Sequence, residues 1–565
     1  MTFWQIFLRV LPWRPFAALR SLWWQITGRR VRARNQIRAA GARLPFAYDV
    51  WIRDVERAEE HSRRAALIVA SWPWRPTFAV WLTGSPGASE SDVRRTVDSI
   101  DGQVYPDWTL FDRSQATDTF HKSDLKKVTG AADFLLPVMA GDELPSLALF
   151  RIVEALQTEP TADIVYGDHD HLGDSGKRRN PWFKPRWNEE LFLAKDYLSG
   201  AVAIRSSKAL AVSRNLTEPF SFDEMLIAAV RSGGAPPLHV AHIVAHLRSD
   251  RSSDRNSRAE IIQRLMSNLD AAATPGPFGT VKVSWPLPSD TPLVSIIIPT
   301  KDKLDLLRPC VESVLVQTTY EPFEILIIDN GSVEKRTAQY FDQIATDPKV
   351  RVLPCPGPYN YSRINNYAVG ESAGQFVCLL NNDTEVVCAD WLNELMRYAV
   401  QPHIGAAGAK LLYPDGTIQH AGVIVGIGQA AGHAHRDLKD RDPGYFSHAH
   451  VTQFISAVTG ACLVVEKEKY LSVGGLDEES LAVAFNDVDL CLKLERAGWQ
   501  NVYVPHAVLI HHESKSRGKD SSPTQIDRYR RELTVFQERW GTKNYQDPRF
   551  NPNLDPLSET FLIRL

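Results

Sequence analysis

Short apolar runs recur along the 565-residue chain, separated by stretches whose apolar positions fall three and four apart. FAVWL within residues 77–82, ADFLLPVM at 132–139 and ADIVYGD at 162–168 are rich in branched and aromatic residues and predict buried strands. LALFRIVEAL at 147–156 and residues 48–59 carry helical spacing. The second half repeats the pattern more sharply: LVSIIIPT (293–300), FEILIIDNGS (323–332) and QFVCLLNNDTE (375–385) read as strands, and LDLLRPCVESVLVQ (304–317) as a helix. Strands alternating with helices predict an α/β layer structure. Between the halves, AAATPGPFGTVKVSWPLPSDTP is rich in Pro, Gly and Ala, so a linker is expected over residues 251–291.

The three second-half strands each end in polar residues on one edge of a parallel sheet, where such sheets form a ligand crevice. Asp329 ends the second strand, and Asn381, Asn382 and Asp383 end the third. Carboxylates there can accept from a ribose hydroxyl or hold a divalent cation against a diphosphate, although each motif taken alone is also a turn former. Further on, Asp487 and Asp489 stand just before the helical run CLKLERAG. One of them is expected to cap that helix, and either can serve as a general base. LIHHESKSRG (509–518) follows a strand-like run, and His511 or His512 can ligate a metal through a neutral imidazole.

The N-terminus departs from this pattern. Residues 1–48 hold nine arginines and no Asp or Glu, with Trp4, Trp13, Trp23 and Trp24 among them. Tryptophan favours the lipid headgroup region and arginine favours anionic lipid, so two short amphipathic helices broken near Pro12 and Pro15 are expected to lie on a cytoplasmic leaflet. The alternative is packing on the protein's own surface. No run of 18 apolar residues exists to span a bilayer, and the arginines break up any signal-like core.

Composition narrows the picture only a little. A formal charge of -3, 44% apolar and 23% charged residues exclude wholesale disorder and argue against a dedicated nucleic-acid binder. The six cysteines form no CxxC pair, which excludes a zinc ribbon and favours a reducing compartment. Nine of the sixteen histidines fall between His403 and His512, yet they lack the cysteine or carboxylate partners of a zinc site.

Read in order, VSIIIPTKDK, FEILIIDNGS, YNYSRINNYAVGESAG, LLNNDTEV, TIQHAG, SAVTGACLVV, VGGLDEE, FNDVDLCLKL and IHHESKSRG resemble the inverting glycosyltransferases of family 2, with the GT-A fold. The nearer likeness is to bacterial O-antigen and rhamnan-type polysaccharide synthases. The resemblance covers residues 292–548 and implies a catalytic GT-A domain there, followed by a tail at 549–565. It implies that Pro299, Thr300, Asp302 and Asp329 cradle the base and ribose of a nucleotide-diphosphate sugar, with Asn366 and Asn382 lining the donor site. Asp383 matches the last position of the family's DxD motif, here Asn381-Asn382-Asp383, and would hold Mn2+ or Mg2+ with His511, His512 being the rival. Asp487 matches the catalytic base, and Gly474, Gly475 and SAVTGAC the acceptor side.

The implied partners are a nucleotide-sugar donor, a glycan or lipid-linked glycan acceptor and an anionic membrane touched peripherally from the cytoplasmic side; no nucleic acid is expected. Residues 46–250 resemble the same superfamily faintly. They keep Asp142 before Glu143, an IVYGDHDH…FKP block and HIVAHLR (242–248), which implies a degenerate GT-A-like domain behind an arm at 1–45. A nucleotidyltransferase and a non-catalytic carbohydrate-binding scaffold are the alternatives.

Overall fold

A computed structural model describes the whole chain except residues 1, 29, 57, 86, 117–118, 174, 249–254, 513–521 and 565. The motif at 509–518 therefore lies partly outside the described residues, from 513 onward. The arm folds as three helices, α1 (Phe3–Val10), α2 (Pro15–Ile26) and α3 (Arg30–Ala42). Thr2 and Gln5 form a capping box at the start of α1, and Pro15 occupies the first turn of α2, where its missing N–H costs nothing. Ile6, Phe7 and Val10 pack with Ala18, Ile37, Ala40 and Leu44. Packing leaves a second apolar face uncovered: Phe16, Leu19, Trp23 and Ile26, at helical spacing along α2, are exposed, as are Trp4 and Leu8.

The first sheet contains β1 (Phe78–Thr83), β2 (Trp108–Arg113), β3 (Phe134–Met139), β4 (Ile164–Leu172), β5 (Arg178–Trp182), β6 (Val202–Arg205) and β7 (Leu238–Leu247). Its order is β2-β1-β3-β6-β4-β5, and β7 pairs with β4. Next comes the stretch expected as a linker. It instead folds as a helix, α4 (Arg255–Leu265), and a hairpin of β8 (Ala272–Pro275) and β9 (Val281–Ser284). Pro275, Gly276, Pro277 and Gly279 sit at the hairpin's turn, while Pro286, Pro288 and Pro292 follow it in an irregular stretch. Val281 and Val283 enter the first domain's core, while Tyr398 and Glu394 of the second domain bond to Val283 O and Lys282. The hairpin thus mortars the two domains together.

The second sheet uses β10 (Val294–Thr300), β11 (Phe323–Asp329), β12 (Val350–Pro354), β13 (Phe376–Leu380), β14 (Thr384–Val386), β15 (Ile404–Leu412), β16 (Cys462–Glu466) and β17 (Gln500–His511), in the order β12-β11-β10-β13-β16-β15-β17-β14. Strand β10 is buried at every position, as a central parallel strand covered on both faces must be. The six strands β11-β10-β13-β16-β15-β17 repeat β2-β1-β3-β6-β4-β7 in order and in direction at each pairing. The chain therefore holds one sheet design twice. Residues 549–564 strap the two copies: Asn551 donates to Asp168 and to Lys184 O, and Phe561 stacks on Tyr445 at 5.1 Å.

Candidate active site

At the carboxyl edge of the second sheet the loops after β10 and β11 are laced together. Asp302 and the next residue, Lys303, both adopt left-handed backbone. This turns the Asp302 carboxylate to accept from Val333 N and Glu334 N at 2.8 Å each. Asp302 N donates to Ser332 Oγ, and Ser332 N donates to Asp329 Oδ1 at 2.8 Å. Pro299 lies inside β10, buried and paired opposite Ile328, so it shapes the strand rather than the loop. Thr300 Oγ1 accepts from Asn382 Nδ2 at 2.9 Å, which fastens the third loop to the first. Asp302 holds loop backbone and Asp329 stands at the strand end, both half-buried.

The third loop brings Asp383 to the end of β17. Thr384 pairs opposite His511, and His512 N donates to Asp383 O. Because side chains alternate along a strand, the adjacent histidines point apart. His511 Nε2 sits 3.0 Å from Asp383 Oδ1, whereas His512 Nε2 faces Glu385 Oε2 at 3.4 Å on the more exposed side. His511 Nδ1 lies 2.7 Å from Gln419 Oε1. An imidazole nitrogen and a carboxylate oxygen about 3.0 Å apart have the spacing of adjacent ligands around an octahedral ion roughly 2.1 Å from each, so this donor pair fits Mg2+ or Mn2+. Among the described residues no cluster of three or more His, Cys, Asp or Glu side chains forms. Two protein donors fit Mg2+, which ordinarily takes few protein ligands. Cys310 packs behind this loop against Asn381 O, and burial pushes its thiol up to about 12, so it is a packing group.

Asp487 lies in the first turn of the helix Asn486–Arg496. Its Oδ2 accepts from Gly460 N at 2.9 Å and its Oδ1 from Val488 N at 2.8 Å. Neither aspartate caps the helix. The capping position belongs to Phe485, held at φ +62° and stacked on Phe536, while Asp489 is fully buried on Arg539, Lys493 and Trp540. One short segment, residues 459–461, joins this helix to the acidic loop: Gly460 reaches Asp487, and Ala461 O accepts from Asn381 N at 3.1 Å. Tyr361 OH donates to Gly460 O and braces that segment from the helix Tyr361–Glu371. Asn366, expected to line the donor site, is taken up by the 470–478 loop. It donates to Leu476 O and Glu478 Oε1 and accepts from Tyr470 OH and Leu476 N.

Gln419 and Tyr361 escaped the sequence reading as site residues. Gln419 lay in plain view within TIQHAG, but its meaning depends on a partner 92 positions away. In the first sheet the matching edge is dismantled. Arg113 pairs with Thr83 where Asp329 pairs with Thr300, and it bonds to Asp124 instead of facing a ligand. Glu143 bridges His246 as Thr384 bridges His511, but His246 Nδ1 is held by Asp170, which also takes Tyr48 OH and Arg178. Arg248 lies over Gly141 and pairs with Asp92.

Carboxylates at the strand ends of such a sheet line a crevice where ligands bind. Residues 295–430 match glycosyl transferase family 2, and the chain carries a domain of that family with the GT-A arrangement of its α/β sheet. An uncharacterized protein of Sinorhizobium fredii is 40% identical over 442 residues, covering 75% of this chain and 48% of that protein. An O-antigen biosynthesis protein of Myxococcus xanthus is 32% identical over 553 residues, 90% of this chain and 42% of its own. The N-acetylglucosaminyl-diphospho-decaprenol L-rhamnosyltransferase of Mycobacterium tuberculosis is 28% identical over 225 residues, 36% of this chain and 70% of its own. The chain thus spans less than half the length of the first two relatives.

Proposed function

We propose that the chain is an inverting glycosyltransferase of bacterial cell-surface polysaccharide synthesis, of the O-antigen type. It would move a sugar from a nucleotide-diphosphate donor to a hydroxyl of a glycan or lipid-linked glycan. One observation carries this reading: the Asp383–His511 pair and the Asp487 carboxylate flank residues 459–461, at the edge where Asp329 also stands. The names of the relatives support the pathway, and the rhamnosyltransferase makes rhamnose the first sugar to test.

In this mechanism Asp329 and Asn382 contact the nucleoside side of the donor, and Asp302 and Thr300 keep their loops in place. Asp383 and His511 would hold Mg2+ or Mn2+, which when bound neutralises charge on the leaving diphosphate. Asp487, oriented by two backbone N–H groups, accepts the proton of the acceptor hydroxyl. That oxygen then attacks the anomeric carbon from the face opposite the diphosphate. The C–O bond to the diphosphate breaks as the new one forms, so the configuration inverts.

The first domain is read as non-catalytic, since Arg113 replaces the strand-end carboxylate and the Arg248–Asp92 pair fills the edge. The arm is read as a peripheral anchor on the cytoplasmic face of the membrane. Its apolar stripe is uncovered (Phe16 is 89% exposed), and arginines flank it. Release of nucleoside diphosphate from a panel of UDP-, dTDP- and GDP-sugars, offered with glycolipid acceptors, tests the activity. Inertness of every donor would overturn it.

A further inference from the structure

We infer that Gln419 is the positioning residue that presents the His511 imidazole to a divalent cation; this rests on the metal-site reading above. Gln419 lies on the short strand Ile418–His420, which pairs antiparallel with β15 beside β17. It is 3% exposed, and its main-chain oxygen accepts from His433 Nδ1 at 3.0 Å, so its backbone is held on both sides. From there Oε1 meets His511 Nδ1 at 2.7 Å.

A carbonyl oxygen can only accept, so the proton of the neutral ring stays on Nδ1 and the lone pair falls on Nε2. That nitrogen is the one 3.0 Å from Asp383 Oδ1. Asn381 Nδ2 also lies 3.4 Å from that nitrogen; with the proton on Nδ1, Nε2 and Asp383 Oδ1 turn lone pairs toward the same space, which a cation would bridge. A metal-ligating histidine ordinarily has its second nitrogen fixed in this way by an acceptor, which sets both tautomer and ring angle. An amide does so without adding a second negative charge beside Asp383. The first domain provides the contrast. Its His246 is held through Nδ1 by the Asp170 carboxylate, inside a network already closed by Tyr48 and Arg178.

The test uses the full chain, with Mn2+ alone titrated and free Mn2+ followed by electron paramagnetic resonance. Gln419→Met keeps length and shape but removes the strong acceptor, and is expected to weaken Mn2+ binding about 10- to 100-fold. Gln419→Glu, whose carboxylate when ionised only accepts, is expected to bind as well as wild type or more tightly. Thermal unfolding in EDTA serves as the folding control. Unchanged affinity in Gln419→Met, or a loss in Gln419→Glu, overturns the inference. Gln419→Glu decides it alone if the methionine variant fails to fold. His511→Ala separates the two levels. If it binds Mn2+ like wild type, the metal-site reading itself fails. If it loses binding while Gln419→Met retains it, only the role of Gln419 fails.

Discussion

Replacing Asp487 with Asn changes one oxygen to an NH2 group and leaves the side-chain volume nearly constant. Two consequences can be separated. Loss of a general base costs about 10²- to 10⁴-fold in turnover, or roughly 3–5 kcal/mol of barrier at about 1.4 kcal/mol per tenfold. The amide can still accept from one of the two N–H groups, Gly460 or Val488, but presents hydrogens to the other. One unsatisfied N–H costs about 1–3 kcal/mol, so a modest fall in Tm is expected. Asp489→Asn, two residues along, should behave in the opposite way. It weakens contacts to Arg539 and Trp540 at 2.9 Å and Lys493 at 3.1 Å in a fully buried site, and losing a buried partner costs about 3–5 kcal/mol. The assay is nucleoside diphosphate release, normalised to folded protein, alongside thermal unfolding of both variants. If Asp487→Asn keeps more than a tenth of wild-type turnover, Asp487 is not the base and the proposed chemistry fails.

His511→Ala is expected to abolish saturable Mn2+ binding and His512→Ala to preserve it; isothermal titration of each variant decides, and the reverse result would move the site to the Glu385 face. Burial pushes the Glu190 carboxyl, which accepts from Trp285 Nε1, up to about 8 from 4.5. The native state therefore binds a proton that the unfolded chain has released between those values. Stability from this group is full below about pH 4.5 and lost as pH rises through about 8. Glu190→Gln should show a Tm advantage over wild type that grows from pH 5 to pH 8.5, and a constant difference would refute the assignment. Phe16→Glu combined with Trp23→Glu should reduce cosedimentation with vesicles containing anionic lipid at least tenfold without changing the melting curve; unchanged sedimentation would remove the anchor role.

The sequence by itself determined the strands and which polar residues stand at their ends. LVSIIIPT and LDLLRPCVESVLVQ reappear as β10 and the helix Leu304–Gln317 because their apolar periodicity is local and strong. Asp329, Asp383, Asp487 and His511 were visible because each stands next to a strand or helix end that the same periodicity marks. Within residues 271–292, Pro275 and Pro277 look like linker prolines until Val281 and Val283 find a core and make that stretch a hairpin's turn. The sequence ranked His511 first with His512 its rival, and the tertiary structure shows which of them meets Asp383: adjacent strand residues face opposite ways, and the outcome depends on the pairing of β14 with β17. Register between distant strands likewise revealed Arg113 at the position of Asp329, and brought Gln419 to a histidine 92 residues away. Periodicity is a short-range property of the chain, whereas parity and register are set by long-range pairing, and it is the second that turns a set of polar strand ends into a site.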